Sequence, residues 1–269
     1  MRAEAADGGV AVVVPCYRAE LTPDERVSLL HLNSFLSSYD RYLVMPKSLR
    51  FGLDGFGVER FGDRWFESRR SYSALLLTTD FYRRFSRYDY ILLYQLDSLV
   101  FSDQLRYWCG KNHDYIGAVH TIEGRVLVGN GGFSLRRVGS FLNVLTSKRR
   151  TSDPREHWQR NWATAPRVDR WRKLPRRYLK HLHAFNGVQW EIRRLNRAYS
   201  GWSEDWFWSL QARKYWPSFR IAPNEDGLHF AFCEEPRESF ELIGRQLPFG
   251  CHGWTRFDRE FWRPFLLAD

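Results

Sequence analysis

The chain has 269 residues, of which 43% are hydrophobic and 17% aromatic, and this composition excludes a disordered protein. No stretch approaches the ~20 consecutive apolar residues that a membrane-spanning helix needs, and the first ten residues lack the apolar core of a secretion signal. The four cysteines are scattered, without the spacing of a zinc finger or a thioredoxin-type motif. We therefore expect a soluble, cytoplasmic protein.

The net charge of +10 is concentrated in one segment. Residues 148–183 contain twelve Lys or Arg against three acids, which leaves the rest of the chain nearly neutral. Such a segment indicates contact with a polyanion, an anionic membrane surface or a phosphate-bearing substrate, and a solvated surface loop is the alternative. We interpret residues 148–185 as a basic helical or loop insertion in a single domain that spans 1–269.

The first hundred residues alternate between strand and helix patterns. The run "VAVVVPCY" is typical of a buried parallel strand that ends at Pro15. Thr22 then caps a predicted helix in "TPDERVSLLHLNSFL", and "YDRYLVMP" is a second strand. The segment "SALLLTTDFYRRFS" is predicted to be helical, and "YDYILLYQLDSLVF" to form a third, continuous buried strand. This order predicts an α/β fold with a mainly parallel central sheet flanked by helices.

The second half contains shorter elements. "DYIGAV" and "RVLVGNGGFSLRR" are predicted strands, and the glycines at 129–132 allow a close approach of backbone to another group. "FSLRRVGSFLNVLTSKRR" begins a helix, and "SEDWFWSLQARKYW" is a helix with Ser203 at its cap. "LHFAFCEEP" and "PFGCHGW" are predicted to form short strands and turns.

The third predicted strand contains an isolated carboxylate, Asp97. A buried carboxylate is costly unless a partner stabilises it. Ligands of parallel sheets bind beyond the carboxyl ends of the strands, and both 15–17 and 95–97 follow such ends. We therefore expect Asp97 to border a crevice and to meet a cation or a metal-bound phosphate, with a simple turn or helix-capping role as the alternative.

Five segments in chain order resemble the GT-A superfamily of nucleotide-sugar-dependent glycosyltransferases: "VVVPCY", "QLD", "VGNGGFSLR", "SED" and "PFGCHGW". More narrowly, the chain resembles a bacterial family of uncharacterised glycosyltransferases with this GT-A-like, Rossmann-related fold. "QLD" is similar to the metal-binding Asp-x-Asp motif of the superfamily, with Gln95 in place of the first Asp. The resemblance extends over residues 10–254, except for the basic segment.

The resemblance implies roles for individual residues. Asp97 and His252 are expected to bind a divalent metal, Mn²⁺ or Mg²⁺, which neutralises the leaving diphosphate. Arg69 and Arg70 precede a predicted helix at the same crevice, which makes them candidates to hold the diphosphate. The residues expected to contact the nucleotide-sugar are Pro15, Tyr17, Arg69, Gln95, Asp97, Asn130 and Gly131.

The acidic pair in "SED" is expected to contribute the catalytic groups. Asp205 corresponds to the general base of inverting members of the superfamily, and Glu204 is expected to orient the acceptor. A carboxylate at the start of a helix is stabilised in its ionised form by the helix dipole. Trp202, Trp206 and Trp208 flank this pair, and they are candidates to stack on a sugar ring or to fill the core.

The sequence thus predicts an inverting glycosyltransferase that moves a sugar from a nucleoside diphosphate to a hydroxyl acceptor. The resemblance and the basic segment indicate bacterial surface polysaccharide or lipid-linked glycan synthesis, with contact to an anionic membrane through 148–183 and without a nucleic-acid partner. Two alternatives remain, a sugar-phosphate nucleotidyltransferase and a non-enzymatic polyanion or nucleic-acid binder. The first should have a glycine-rich phosphate loop after strand one, and "PCYRAE" contains no glycine.

Overall fold

The structure of the protein is a computed structural model that describes residues 9–122, 125–163, 166, 178–198 and 203–267. For residues 121, 122, 125, 126 and 161–163 it describes the backbone alone. The predicted basic insertion is therefore described at its two ends, and most of its charged centre lies outside the described residues.

One sheet organises the described part of the chain. Its strands are β1 (Val10–Pro15), β2 (Asp40–Pro46), β3 (Phe56–Phe61), β4 (Tyr90–Tyr94), β5 (Ser98–Val100), β6 (Tyr115–Ile122), β7 (Arg125–Arg137), β8 (Ala231–Phe232) and β9 (Gly250–His252). The spatial order is β3-β2-β1-β4-β7-β6-β8-β9-β5. Strands β1 to β4 are mutually parallel, whereas β7 is antiparallel to both of its neighbours, β4 and β6. The predicted α/β fold with a mainly parallel sheet is confirmed.

Helices cover both faces of this sheet. They are α1 (Pro23–Leu36), α2 (Arg69–Leu75), α3 (Thr79–Arg84), α4 (Leu105–Gly110), α5 (Val138–Leu145), α6 (Pro154–Ala163), α7 (Val188–Ala198), α8 (Glu204–Leu210), α9 (Ala212–Tyr215), α10 (Asn224–Phe230), α11 (Pro236–Leu242) and α12 (Arg259–Trp262). Alternate residues of β1 point to opposite faces, so Ala11 and Val13 join one core and Val12 and Val14 the other. Helices α2, α3, α5 and α8 pack on the first core, and α1 and α4 on the second.

The start of α1 forms as its sequence predicts. The Thr22 hydroxyl accepts a hydrogen bond from the Glu25 backbone N–H, the Glu25 carboxylate accepts one from the Thr22 N–H, and Pro23 begins the helix. This capping box satisfies two amides that would otherwise lack partners. It also fixes the helix that borders the end of β1.

The prediction of one continuous strand around Asp97 is wrong. The chain leaves the sheet after Tyr94 and returns as β5, which pairs with β9 at the far edge. A tight turn separates the two strands, because the Ser98 N–H donates to the Gln95 carbonyl at 2.9 Å. Asp97 therefore lies in a turn, where its side chain is free to leave the core.

Two other predicted elements differ from the structure. "SALLLTTDFYRRFS" is split between α2 and α3, because the Thr78 hydroxyl accepts from the Phe81 N–H and starts a new helix. "LHFAFCEEP", predicted to form short strands and turns, contains the two-residue β8, but its first three residues are the end of α10. The hydrophobic pattern of these two segments did not reveal the boundaries between the short helices and the strand. Packing against the two cores stabilises such short elements.

The carboxyl ends of β1, β4 and β9 meet at one edge of the sheet. The pairing fixes this. Strand β4 is parallel to β1, and the Gln95 N–H after β4 donates to the carbonyl of Gly132 in β7. Strand β7 is antiparallel to β4 and to β6, and β6, β8 and β9 are parallel to one another, so β9 ends at the same edge as β4. This edge therefore collects residues from segments that are far apart in the sequence. Among the described residues, no helix is both long and apolar enough to cross a membrane.

Candidate functional site

A crevice of about 550 Å³ lies at this edge. Five of the predicted nucleotide-sugar contacts line it: Pro15, Tyr17, Arg69, Gln95 and Asp97. The Tyr17 ring is 59% exposed, so it presents a flat surface at the end of β1. The crevice thus lies where the parallel-strand rule places a ligand.

Asp97 forms an ion pair with Arg256, which lies in the loop after β9. Its side chain is 30% exposed, and its Oδ2 accepts a hydrogen bond from Arg256 Nη2 at 2.9 Å. Its backbone carbonyl accepts from the Gly253 N–H at 2.8 Å and the Trp254 N–H at 3.1 Å. The loop after β9 is thereby held against the turn after β4, and it delivers Arg256 to the crevice. The sequence reasoning missed Arg256, which no pattern in its own segment distinguishes.

His252, at the end of β9, is the second partner of Asp97. Its Nε2 lies 3.4 Å from Asp97 Oδ1 and 3.3 Å from Gln95 Oε1. Its Nδ1 lies 3.5 Å from the thiol of Cys233, a buried residue that the sequence reasoning also missed. Burial lowers the pKa of His252 below its ordinary value, so the ring is neutral near pH 7.

The predicted pair of metal ligands, Asp97 and His252, is brought together, and Gln95 joins it. Mg²⁺ binds its ligands at about 2.0–2.1 Å, so neighbouring ligand atoms lie roughly 3 Å apart. The separations of 3.3 and 3.4 Å around His252 Nε2 are close to that value. Among the described residues, no group of three or more His, Cys, Asp or Glu could hold a metal. One carboxylate, one imidazole and one amide would therefore hold a divalent ion only together with oxygen atoms of a bound ligand.

Two glycines of β7 make room for these side chains. A Cβ on Gly132 would lie 2.1 Å from His252 Nε2 and 2.9 Å from Gln95 Oε1. A Cβ on Gly131 would lie 2.4 Å from Glu204 Oε1. A side chain at either position would force His252 or Glu204 to shift, which gives a physical reason for the glycine-rich segment.

Asn130 and Gly131 are placed differently from their predicted role as nucleotide-sugar contacts. Asn130 is 8% exposed; its Oδ1 accepts from the Gly132 N–H at 2.8 Å, and its Nδ2 faces the Cys233 thiol at 3.5 Å. The Gly131 N–H donates to Asp205 Oδ2 at 3.3 Å, and its carbonyl accepts from Arg136 and Ser134. The polar groups of both residues thus already have partners within the protein, and neither residue lines the crevice. This stretch of β7, residues 130–132, is the glycine wall.

A buried arginine lies beneath this wall. Arg136 is fully buried in β7, and its guanidinium donates to the Gly131 carbonyl at 3.1 Å, to Ser134 Oγ at 2.9 Å and to the Tyr82 hydroxyl at 3.1 Å. Its Nη2 also donates to Glu204 Oε1 at 2.8 Å. Strand alternation in "FSLRR" was the available signal, since Phe133 and Leu135 face one core and their neighbours must face the other.

Glu204 corrects a second prediction. It is 4% exposed, its carboxylate pairs with Arg136, and it does not line the crevice where its predicted role of orienting an acceptor would place it. Burial raises the pKa of Glu204 to about 7, although the charge of Arg136 opposes this rise. The same pairing keeps the pKa of Arg136 above its ordinary value, so the guanidinium stays charged. Glu204 is a structural partner of β7, and only its neighbour in the sequence faces outward.

That neighbour, Asp205, is half-buried at the start of α8. Its Oδ1 accepts hydrogen bonds from the Ser203 hydroxyl and from the Trp206 N–H, and its Oδ2 accepts one from the Gly131 N–H. Ser203 occupies the predicted cap position, but its hydroxyl donates to Asp205 and does not accept from a helix amide. Asp205 is therefore a carboxylate whose orientation is fixed by hydrogen bonds, beside the glycine wall. Its Oδ2 can accept a further hydrogen bond.

The flanking tryptophans have different environments. Trp206 is 61% exposed beside Asp205, whereas Trp208 is fully buried in the core. Trp202 lies outside the described residues. Of the two arginines before α2, Arg69 lines the crevice and Arg70 does not. Trp206 thus remains a candidate surface for a ring, and Trp208 is a core residue.

Comparison with known proteins adds a family and two solved structures. The family described as "Protein of unknown function (DUF5672)" matches residues 55–252. The apo-form glycosyltransferase GlyE of Streptococcus pneumoniae TIGR4 matches at 12% identity and a TM-score of 0.48, over 97% of this chain and 61% of GlyE. A glycosyltransferase involved in glycosylation of the major capsid of PBCV-1 matches at 8% identity and a TM-score of 0.48, over 96% of this chain and 98% of that protein. No curated protein matches the chain in sequence.

The charge state of Glu204 is testable through the pH dependence of stability. Its pKa is about 7 in the folded protein against an ordinary value of 4.5. Between these two pH values the folded state therefore keeps a proton on Glu204 that the unfolded state has released. The free energy of unfolding then falls as the pH rises through this window, by at most about 3 kcal/mol. We expect Glu204→Gln, which keeps an acceptor for Arg136, to lose this fall in urea-unfolding curves between about pH 5 and 8. Parallel pH profiles of the two proteins would contradict the assignment.

Proposed function

The chain belongs to the DUF5672 family, and we propose that it is an inverting glycosyltransferase that moves a sugar from a nucleoside-diphosphate-sugar to a hydroxyl acceptor. The observation that carries this proposal is the meeting of Asp97, His252, Gln95 and Arg256 at the carboxyl edge of the sheet. These groups combine a carboxylate and an amide that line the crevice with a neutral imidazole and a guanidinium that contact that carboxylate. Such a set suits a diphosphate and its counter-ion.

The crevice supplies separate surfaces for the parts of a nucleotide-sugar. Tyr17 offers an exposed ring beside the end of β1, where a base can stack. Arg69 and Arg256 supply guanidinium groups, which pair with phosphate oxygens in a bidentate manner. Arg256 is 49% exposed and already aligned by Asp97, so a phosphate reaches it without displacing a buried group.

A divalent ion, Mn²⁺ or Mg²⁺, would be held by Asp97, His252 and Gln95 together with the diphosphate, and it would neutralise the leaving group as a Lewis acid. Because His252 is neutral, its Nε2 lone pair is available when the ring proton is on Nδ1 and faces the Cys233 thiol. Arg256 adds a further positive charge beside the same carboxylate. The protein's own charges thus favour the departing diphosphate.

Asp205 is the proposed general base. In an inverting displacement the acceptor oxygen attacks the anomeric carbon, the bond to the diphosphate breaks, and the hydroxyl proton passes to a carboxylate. Asp205 Oδ2 accepts a hydrogen bond from the Gly131 N–H. The next residue of β7, Gly132, packs against His252. The base and the diphosphate site therefore share one rigid wall, which fixes their separation.

The proposed setting is the synthesis of a bacterial surface polysaccharide or a lipid-linked glycan, in the cytoplasm and at an anionic membrane surface. The net charge of +9 in residues 148–183 supports this setting, because a surface of anionic lipid or a phosphate-linked acceptor attracts a basic segment. The exposed Trp206 ring beside Asp205 supports a sugar acceptor.

Asp97→Asn tests the diphosphate site. The substitution keeps the size of the side chain but removes the charge that holds Arg256 and attracts a metal ion. We expect the affinity for a nucleoside diphosphate in the presence of Mn²⁺, measured by calorimetry, to fall about 10- to 100-fold. Asp54→Asn, at an exposed position outside the crevice, is the matched control. Equal affinity in Asp97→Asn and the parent would remove the site from this turn.

Asp205→Asn tests the base. We expect sugar transfer to fall by about 10²–10⁴ while nucleoside-diphosphate affinity stays within error, because the diphosphate groups are elsewhere. Transfer is followed as nucleoside diphosphate released from UDP-, GDP- and dTDP-sugars with sugar and lipid-linked acceptors. Glu225→Gln, which changes an exposed acid in the first turn of α10, is the control. Near-normal transfer by Asp205→Asn, or a product with retained anomeric configuration by proton NMR, would refute the proposed base.

A further inference from the structure

A second pocket of about 580 Å³ lies at the ends of the basic insertion. Its lining consists of Lys148, Arg150, Ser152, Asp153, Pro154, His181 and His183, and it shares no residue with the crevice. The lining comes from two segments about thirty residues apart in the sequence, 148–154 and 181–183. The basic residues of both segments thus face one opening.

A buried asparagine fixes these two segments together. Asn186 is fully buried, and its Nδ2 donates to the carbonyls of Ser152 at 2.9 Å and Lys180 at 2.8 Å. Its Oδ1 accepts from the backbone N–H and the hydroxyl of Ser152, both at 3.2 Å. The Thr151 N–H donates to the Asn186 carbonyl at 2.6 Å. Because all these polar groups are satisfied, the frame of the pocket is specific and not a chance approach of two loops.

One histidine ring of the pocket is also held in place. His183 Nε2 donates to the Ser147 carbonyl at 3.0 Å, which joins the two segments a second time. A Cβ on Gly187 would lie 2.4 Å from this ring, so the glycine leaves space for it. The imidazole is therefore oriented, although it is exposed at the surface.

The charges of the pocket favour an anion. Neither Lys148 nor Arg150 forms an ion pair within 4.0 Å among the described residues; Arg150 donates a hydrogen bond to the carbonyl of His181 at 3.3 Å, and its charge acts on Asp153 only at longer range. Asp153 is the one acid of the lining, and its Oδ1 accepts the backbone N–H groups of Arg155 at 2.6 Å and Glu156 at 3.2 Å at the start of α6. With two cationic side chains, Lys148 and Arg150, against this one carboxylate, the lining keeps a net positive charge.

We propose that this pocket is a second binding site, which takes a phosphate-bearing anion through Lys148, Arg150 and His181, with the ring of His183 lining the same opening. Lysine, arginine and histidine N–H groups form charge-assisted hydrogen bonds to phosphate oxygens, and the pocket gathers all three types around one opening. A phosphate compound in solution and the headgroup of an anionic lipid share this chemistry. The inference deepens the contact with phosphate groups proposed for residues 148–183, but the glycosyl transfer proposed for the crevice can fail without affecting it, because the two pockets share no residue.

The test reads the histidines directly. The protein has eight histidines, so histidine-selective isotope labelling gives a small set of imidazole signals, assigned with His181→Gln and His183→Gln. Inorganic phosphate is titrated at constant ionic strength against sodium chloride. We expect the His181 and His183 signals to move, and Lys148→Ala/Arg150→Ala to weaken this response about tenfold or more. The control is Arg83→Ala/Arg245→Ala, which removes two exposed arginines outside both pockets.

Vesicle sedimentation separates the two sources of phosphate. Stronger association of the parent than of Lys148→Ala/Arg150→Ala with phosphatidylglycerol vesicles, but not with phosphatidylcholine vesicles, supports the site with a lipid headgroup as its ligand. Movement of the His181 and His183 signals without that difference supports the site with a soluble phosphate compound. Movement of the His252 signal alone places phosphate in the crevice and overturns the proposal. Unmoved His181 and His183 signals together with equal vesicle association of all variants also overturn it.

Discussion

The buried pair of Arg136 and Glu204 is the interaction on which the candidate active site depends. It joins strand β7 to helix α8 beneath the glycine segment, and Arg136 also binds the Gly131 carbonyl. Losing one member of a buried pair typically costs about 3–5 kcal/mol, because the remaining charge has no solvent. The pair thus holds Gly131 in position, and the Gly131 N–H donates a hydrogen bond to Asp205 Oδ2. A charge hidden in the core thereby sets the position of a carboxylate at the surface.

The glycine segment transmits this constraint to the other half of the site. Gly132 packs against His252 and Gln95, which in turn contact Asp97. The proposed base and the proposed diphosphate site lie on opposite sides of one short stretch of β7, so neither moves independently of the other. A reaction that needs an acceptor hydroxyl and a leaving diphosphate in line benefits from such a shared wall. This arrangement favours an enzyme over a polyanion binder, for which the pairing of Asp97 with His252 would have no use.

The sequence predicted the elements that repeat a strong pattern and missed contacts between distant segments. Parallel strands and the rule for their carboxyl ends placed Pro15, Tyr17 and Asp97 at one crevice. The sequence did not predict that the Glu204 side chain points into the core. Two adjacent acids at a helix start point in different directions, and it is the buried Arg136 that pairs with Glu204 and leaves Asp205 facing outward. Arg256 and Cys233 contact the site through β9 and the chain after β8, and their own segments contain no signal of this. The turn at 95–97 was read as strand because apolar residues flank it on both sides.

The most direct test of the proposed function is a crystal structure of the protein soaked with UDP, GDP or dTDP and Mn²⁺, with the ion located by its anomalous scattering. The account predicts the nucleoside beside Tyr17, the diphosphate against Arg256 and the ion within bonding distance of Asp97 and His252. Binding of none of these nucleotides, or binding away from the ends of β1 and β4, would contradict it.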